Sequence, residues 1–393
     1  MIGQIRELRG LGHEIAVWTP CSSSSTLSSD WWPADVPLFT RAFAGTWTPG
    51  YVDRRFGELP ADWRFRQMNE HAAAVTREIE QWKPDVLLVH PCSWFHASPL
   101  AMHWRGASVL YLQEPFRPLY EALPENPWAA LPATNGGSYR SRLGRLIRDQ
   151  RQIGANRRQV REEIAWVRAF DRVLVNSLYS RECVIRAYGV DSVYCPLGAD
   201  HGTVPIPRLP KQPFVASLGQ LSPHKDPRFA VAAVAKVPRE RRPQLRWFGN
   251  RGDDAYVELV TSEAKALDVD FRFELSLPDA ELSAQLAQAA CFVFCARLEP
   301  LGLAPLEANI AGTAVVAIAE GGVRETIIPG VNGTLVYNRD PGAMGAAIDR
   351  YVSDLAWASS EGERARQHVM STHTWKRAGL ALEAELKRVA FGD

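Results

Sequence analysis

Cysteine is scarce in this chain: six residues among 393, with no CxxC spacing. That excludes a disulfide framework and suits the scattered reduced thiols of a cytosolic protein. Charge of one sign is lacking too, since 45 Lys plus Arg stand against 44 Asp plus Glu, so no global field favours nucleic acid as a partner. Long hydrophobic runs are missing. Stretches such as VLLV at 86–89 and AVVAIA at 314–319 fall far below the ~20 residues that span a bilayer. No transmembrane helix is expected, and the N-terminus shows no charged segment leading into an apolar stretch with a small-residue cleavage site, so the cytoplasm is the expected compartment. His90 and His96 come without an HExxH or Cys/His cluster, so neither a metal nor another cofactor is expected.

What is present is a globular mixture, 46% hydrophobic and 23% charged, long enough for two domains. Short apolar runs alternate with helical patterns, the rhythm of α/β domains with parallel sheets. Candidate strands in the first half are 14–19, 85–90, 108–113, 172–177 and 192–196; in the second they are 214–219, 245–249, 271–275, 291–295 and 314–319. Between 197 and 213 repeated Pro and Gly leave only an extended connector. The domains are therefore expected at 1–203 and 204–372, and the amphipathic tail 373–393 is expected to return to the first. In CFVFC, period 2 puts Cys291 and Cys295 on one strand face, a packing arrangement. The chain opens inside an amphipathic helix, where a doubly wound domain opens on a strand, so the first strand of the N-terminal domain is expected to be missing.

The chemistry concentrates in EPLGLAPLEA, which Glu299 and Glu307 frame. Glu299 falls on a turn after the CFVFC strand and Glu307 on the following helix. The backbone N–H groups of Leu301, Gly302 and Leu303 then lie at a helix N-terminus, where unsatisfied donors and partial positive charge suit a phosphate. Two acids beside an anion-binding turn suggest a sugar on one side and a ribose on the other, the layout of a nucleotide sugar.

This text, EPLGLAPLEANIAGTAVVA followed by GGVRE and GVNGTLV, resembles the retaining glycosyltransferases of family 4, and the resemblance covers almost the whole chain. It implies two Rossmann-like domains facing a cleft. It implies that Glu299 holds hydroxyls of the donor sugar, that Glu307 holds the ribose hydroxyls, and that the amides of 301–303 face the diphosphate. Lys225 in SPHKDP matches the lysine that neutralises the diphosphate, and Gly219 matches the preceding turn. Two positions depart from the family. Gln220 stands where Arg is usual, which removes one cation from the diphosphate. Gln113, in YLQEPFRP, stands where His is common; an amide donates hydrogen bonds but is no base, so a front-face mechanism without a histidine is implied. Glu299, Lys225 and Gln113 form the implied catalytic set.

The implied partners are a nucleoside diphosphate sugar and a glycan or lipid-linked acceptor. Arg140 to Arg172 holds ten Arg and four acids in helical text, a basic face suited to peripheral contact with the inner membrane surface. Two alternatives stay open. Gln220, Gln113 and the absent opening strand would also suit a catalytically silent scaffold or regulatory subunit that binds a nucleotide or glycan. A sugar-nucleotide epimerase of the same two-domain fold fits the EPLGLAPLE string less well.

Overall fold

The structure, a computed structural model, describes residues 1–20, 32–43, 60–91, 95–120, 139–199 and 207–392. The expected boundary at 203/204 lies outside them. So do the side chains of the basic segment between Arg140 and Arg148. By its internal contacts the chain divides into two units. The first comprises Met1–Asn176, Ser180–Cys195 and Gly379–Asp393; the second comprises Ser177–Tyr179 and Pro196–Ala378.

In the first unit, strands β1 (Val17–Thr19) and β2 (Leu38–Thr40) pair in parallel with each other. A separate parallel sheet has the order β3 (Val86–Val89), β4 (Ala107–Tyr111), β5 (Arg172–Val175) and β6 (Val193–Tyr194). Its helices include α1 (Ile2–Gly10), α2 (Pro60–Trp82), α3 (Leu100–His103), α4 (Arg117–Tyr120), α5 (Tyr139–Arg168) and α6 (Leu178–Tyr188). Helix α2 forms because Phe65, Met68, Ala72, Val75 and Ile79 recur at helical spacing, and that stripe is buried. It joins a core with Val89, Leu110, Val173 and Trp166. β2 had no alternation to betray it, since all three of its residues are exposed. His90, directly after β3, stacks on the Tyr111 ring at 5.7 Å, and burial, followed by the N-terminal amine, lowers its pKa to about 3.

The second unit carries a six-stranded, wholly parallel sheet. Its strands are β7 (Gln212–Leu218), β8 (Gln244–Gly249), β9 (Phe271–Leu275), β10 (Ala289–Phe294), β11 (Val315–Ile318) and β12 (Gly333–Val336), in the spatial order β12-β11-β10-β7-β8-β9. Counted from β7 this is the doubly wound order, which reverses between β7 and β10. The alternation in CFVFC is visible in the packing. Cys291, Val293 and Cys295 join a cluster with Val215, Trp247 and Val316. Phe292 and Phe294 face the other layer with Phe214, Ala216 and Ala317. Every residue of β10 is buried, as expected of a central strand covered on both faces.

Flanking helices are α7 (Pro227–Val234), α8 (Asp254–Ala266), α9 (Asp279–Gln288), α10 (Leu303–Ile310), α11 (Val323–Thr326), α12 (Pro341–Ser353) and α13 (Leu355–Thr372). The last helix, α14 (Trp375–Phe391), belongs to the first unit from Gly379 onward. There Glu385 pairs with Arg172 at 2.8 Å and Glu383 with His13 at 2.8 Å. Ala378, Leu382 and Leu386 form its buried stripe, whereas Leu380, also on the apolar side in the sequence pattern, is exposed.

Candidate active site in the second unit

The site residues of the second unit collect at the carboxyl ends of β7 and β10, the neighbours between which the strand order reverses. Side chains there are placed by backbone turns. β7 ends at Leu218, and Gly219 leaves it with φ +143°, a conformation that L side chains rarely adopt. Its N–H donates to the Phe248 carbonyl at 2.9 Å and its carbonyl accepts from Trp247 Nε1 at 2.8 Å, fixing the exit of the chain. Gln220 follows, half-buried, with its carbonyl accepting from Ser222 Oγ at 3.3 Å. Pro223–Lys225 forms a single 3-10 turn that carries Lys225. The lysine stem passes over Gly219, and Nζ donates to Glu299 Oε2 at 2.8 Å, 5.8 Å from the Phe294 ring centroid. Both side chains of the pair are 19% exposed, so neither charge is buried and neither is freely hydrated.

Glu299 lies between β10 and α10. Its backbone is gripped by the GGVRE text: Gly322 N–H donates to the Glu299 carbonyl at 2.8 Å. A Cβ on Gly321 would sit 2.4 Å from that carbonyl oxygen, and one on Gly322 would sit 1.9 Å from the Pro300 oxygen. The two glycines are thus required by close packing of one turn on another. Gly302, at φ +85°, caps α10, and a Cβ there would meet Val323 Cγ2 at 2.8 Å. The first N–H groups of α10 have no acceptor within the helix. Leu301 is buried and anchors the turn, while Leu303 is exposed at the helix start. Glu307 is half-buried, four residues beyond Leu303 and on the same helix face; Leu306, Asn309 and Ile310 are buried.

The structure therefore pairs Lys225 with Glu299 and runs the lysine stem beside Gly219, with Leu301, Gly302 and Leu303 next in the chain. Gln113 belongs to the first unit, half-buried in a bend two residues past β4. Sequence reasoning missed the charges that surround the lysine turn. Asp226 pairs with Arg339, and Arg339 with Glu320. Their separation along the chain leaves no local pattern; the nearest signal is Asp226 between Lys225 and Pro227, an Asp-Pro helix start.

A Rossmann sheet with cations, a helix N-terminus and carboxylates at its switch point has the layout of a nucleotide-binding unit. Residues 205–368 match the glycosyl transferases group 1 family, to which the second unit belongs. The chain is 30% identical over 187 residues to the GDP-mannose-dependent alpha-(1-6)-phosphatidylinositol monomannoside mannosyltransferase of Mycolicibacterium smegmatis, matching 45% of this chain and 48% of that protein. It thus spans about half the length of that relative. A glycogen synthase of Mycobacterium tuberculosis is 24% identical over 386 residues, 95% of this chain and 86% of that one. Among solved structures, a sucrose-phosphate synthase from Thermosynechococcus elongatus aligns with TM-score 0.67 at 18% identity, covering 98% of this chain and 91% of its own. Anabaena HepE, solved with UDP and glucose, aligns with TM-score 0.67 at 16% identity, covering 98% and 94%. The fold is shared with these solved structures.

Proposed function

We propose that the chain is a retaining glycosyltransferase that moves a sugar from a nucleoside diphosphate donor to a carbohydrate or lipid-linked acceptor without a metal. The observation that carries this reading is the Lys225–Glu299 pair at 2.8 Å, set just before the N-terminus of α10 at the ends of β7 and β10. The two charges of this pair neutralise each other. An entering diphosphate competes for Lys225 and releases the Glu299 carboxylate to hydroxyls of the sugar. Glu307, on the less buried face of α10, takes the ribose hydroxyls.

As the bond between the anomeric carbon and phosphate oxygen breaks, its electron pair leaves with the diphosphate. Lys225 and the α10 amides stabilise that charge. The acceptor oxygen attacks from the same face, and its proton passes to the departing phosphate oxygen, so configuration is retained with no protein base. Cationic charge for the leaving group is supplied by the lysine, which is the basis for proposing a metal-free reaction. The name of the M. smegmatis relative favours a lipid-linked acceptor, for which the basic helix α5 would provide membrane contact.

Glu299→Ala is expected to reduce transfer ~100-fold or more, comparable with loss of one transition-state donor. Because it frees Lys225, nucleoside diphosphate affinity should hold or rise. Glu307→Ala should instead weaken UDP or GDP binding about tenfold, ~1.4 kcal/mol. Calorimetric titration with both nucleotides, alongside product analysis with UDP-glucose and GDP-mannose, checks this; an unchanged affinity in Glu307→Ala would refute the assignment. A silent nucleotide-binding reading draws on Gln220 and Gln113, and hydrolysis or transfer of any nucleotide sugar by the purified protein rules it out.

A further inference from the structure

Two turns carry the groups proposed for the donor: Pro223–Lys225 with its lysine, and residues 320–322, whose Gly322 N–H holds the Glu299 carbonyl. A single guanidinium joins them. Arg339 lies in the turn after β12, remote in sequence from both. Its Nη2 donates to Asp226 Oδ2 at 2.5 Å and to the Cys295 carbonyl at 3.2 Å, while Nη1 donates to Glu320 Oε2 at 3.2 Å. The guanidinium carbon lies 4.9 Å from the centroid of the Phe229 ring, so the side chain is held on its face as well as its edges.

The backbone on both sides of this bridge is strained. Asp226 has φ +51° directly before Pro227, and Asn338 and Arg339 have φ +58° and +47°. Non-glycine residues keep such conformations only where their surroundings fix them, and a residue before proline is restricted further. Asp226 closes the lysine turn through its N–H to the Pro223 carbonyl at 3.1 Å, and caps α7 through Oδ1, which accepts from Phe229 N–H at 3.2 Å. Arg297 Nε stands 3.5 Å from the same Oδ2, and the Arg297 N–H donates to the His224 carbonyl at 2.8 Å. Charges thus alternate through Arg297, Asp226, Arg339 and Glu320, beside the Lys225–Glu299 pair.

We propose that Arg339 is a positioning residue for the donor site: its bridge from Asp226 to Glu320 fixes the lysine turn against the turn that holds Glu299. The identity of the ligand rests on the function proposed above, but the bridge itself does not. Lysine cannot replace it, because one ammonium cannot span two carboxylates and a carbonyl in the planar fork that Arg provides.

Hydrogen exchange on the ligand-free full chain reads the bridge directly. In Arg339→Ala, amides of 222–229 and 320–325 should exchange at least tenfold faster, with β11 unchanged, and Arg339→Lys should restore little. Asp226→Asn retains the side-chain size and carries the same readout should Arg339→Ala fail to fold. Titration with UDP and GDP follows: Arg339→Ala should bind about tenfold more weakly, and Arg339→Ala combined with Lys225→Ala no more weakly than Lys225→Ala alone. Unchanged exchange in both segments, or additive losses in the double variant, overturns the positioning role. Faster exchange in a protein whose wild type binds neither nucleotide sustains the bridge and refutes the donor reading instead.

Discussion

An ammonium group removed from water keeps its proton only if its partners replace the lost hydration. Lys211, at the threshold of β7, is such a group. Its Nζ donates to the Ala287 carbonyl at 2.9 Å and to Thr313 Oγ1 at 2.5 Å, yet burial lowers its pKa from 10.5 to about 7, with nearby Cys291 acting in the opposite direction. Between about pH 7 and 10.5 the unfolded chain therefore binds a proton that the folded chain does not, and stability rises with pH across that window. Below about pH 7 both states are protonated, and the full cost of the buried charge is present. Lys211→Met removes the titration. The wild-type urea midpoint should climb from pH 7 to 9 relative to that of the variant; parallel profiles would mean that Lys211 stays charged in the fold.

Helix α10 is the element on which the proposed donor site depends, because its first turn would supply the amides and its second Glu307. Its far end is locked by two asparagines with no solvent exposure. Asn309 Nδ2 donates to the Thr313 and Asn332 carbonyls, both at 3.0 Å. Asn332 Nδ2 donates to Asn309 Oδ1 and the Thr326 carbonyl, both at 2.9 Å, and its Oδ1 accepts from Ile328 N–H at 2.7 Å. The network is worth more than its parts, since each amide satisfies a group that would otherwise be buried without a partner. Asn332→Ala orphans several such groups at once, and at ~1–3 kcal/mol for an unsatisfied group should cost about 3 kcal/mol in denaturant unfolding. Asn309→Ala added to it should cost less than the sum of the two single changes. Strict additivity would mean that the two side chains act separately.

At the scale of the molecule, what the sequence reveals follows from how far apart the cooperating residues are. Strand β10 was readable because alternation in CFVFC is local and both its faces are buried; EPLGLAPLEA was readable because turn, cap and helix are contiguous. β2 and β12 escaped, the one for want of any buried face and the other because it opens on Gly-Thr and its burial does not alternate. The Arg339 bridge escaped because its partners are scattered along the chain, and Lys211 because Pro-rich text around it gives no hint of burial. Each unit has its own core, with Trp166 buried in one and Trp247 in the other. A ligand whose charged contacts all come from β7, β10 and α10 stabilises the second core directly. At 100 times its dissociation constant a nucleoside diphosphate adds ~2.7 kcal/mol. For a unit of this size that is roughly 5–10 °C in Tm. Scanning calorimetry with hydrogen exchange to assign the transitions should show the shift in the transition that exposes β10. A shift confined to the transition that exposes β4 would place the nucleotide in the first unit and remove the basis for the donor site described here.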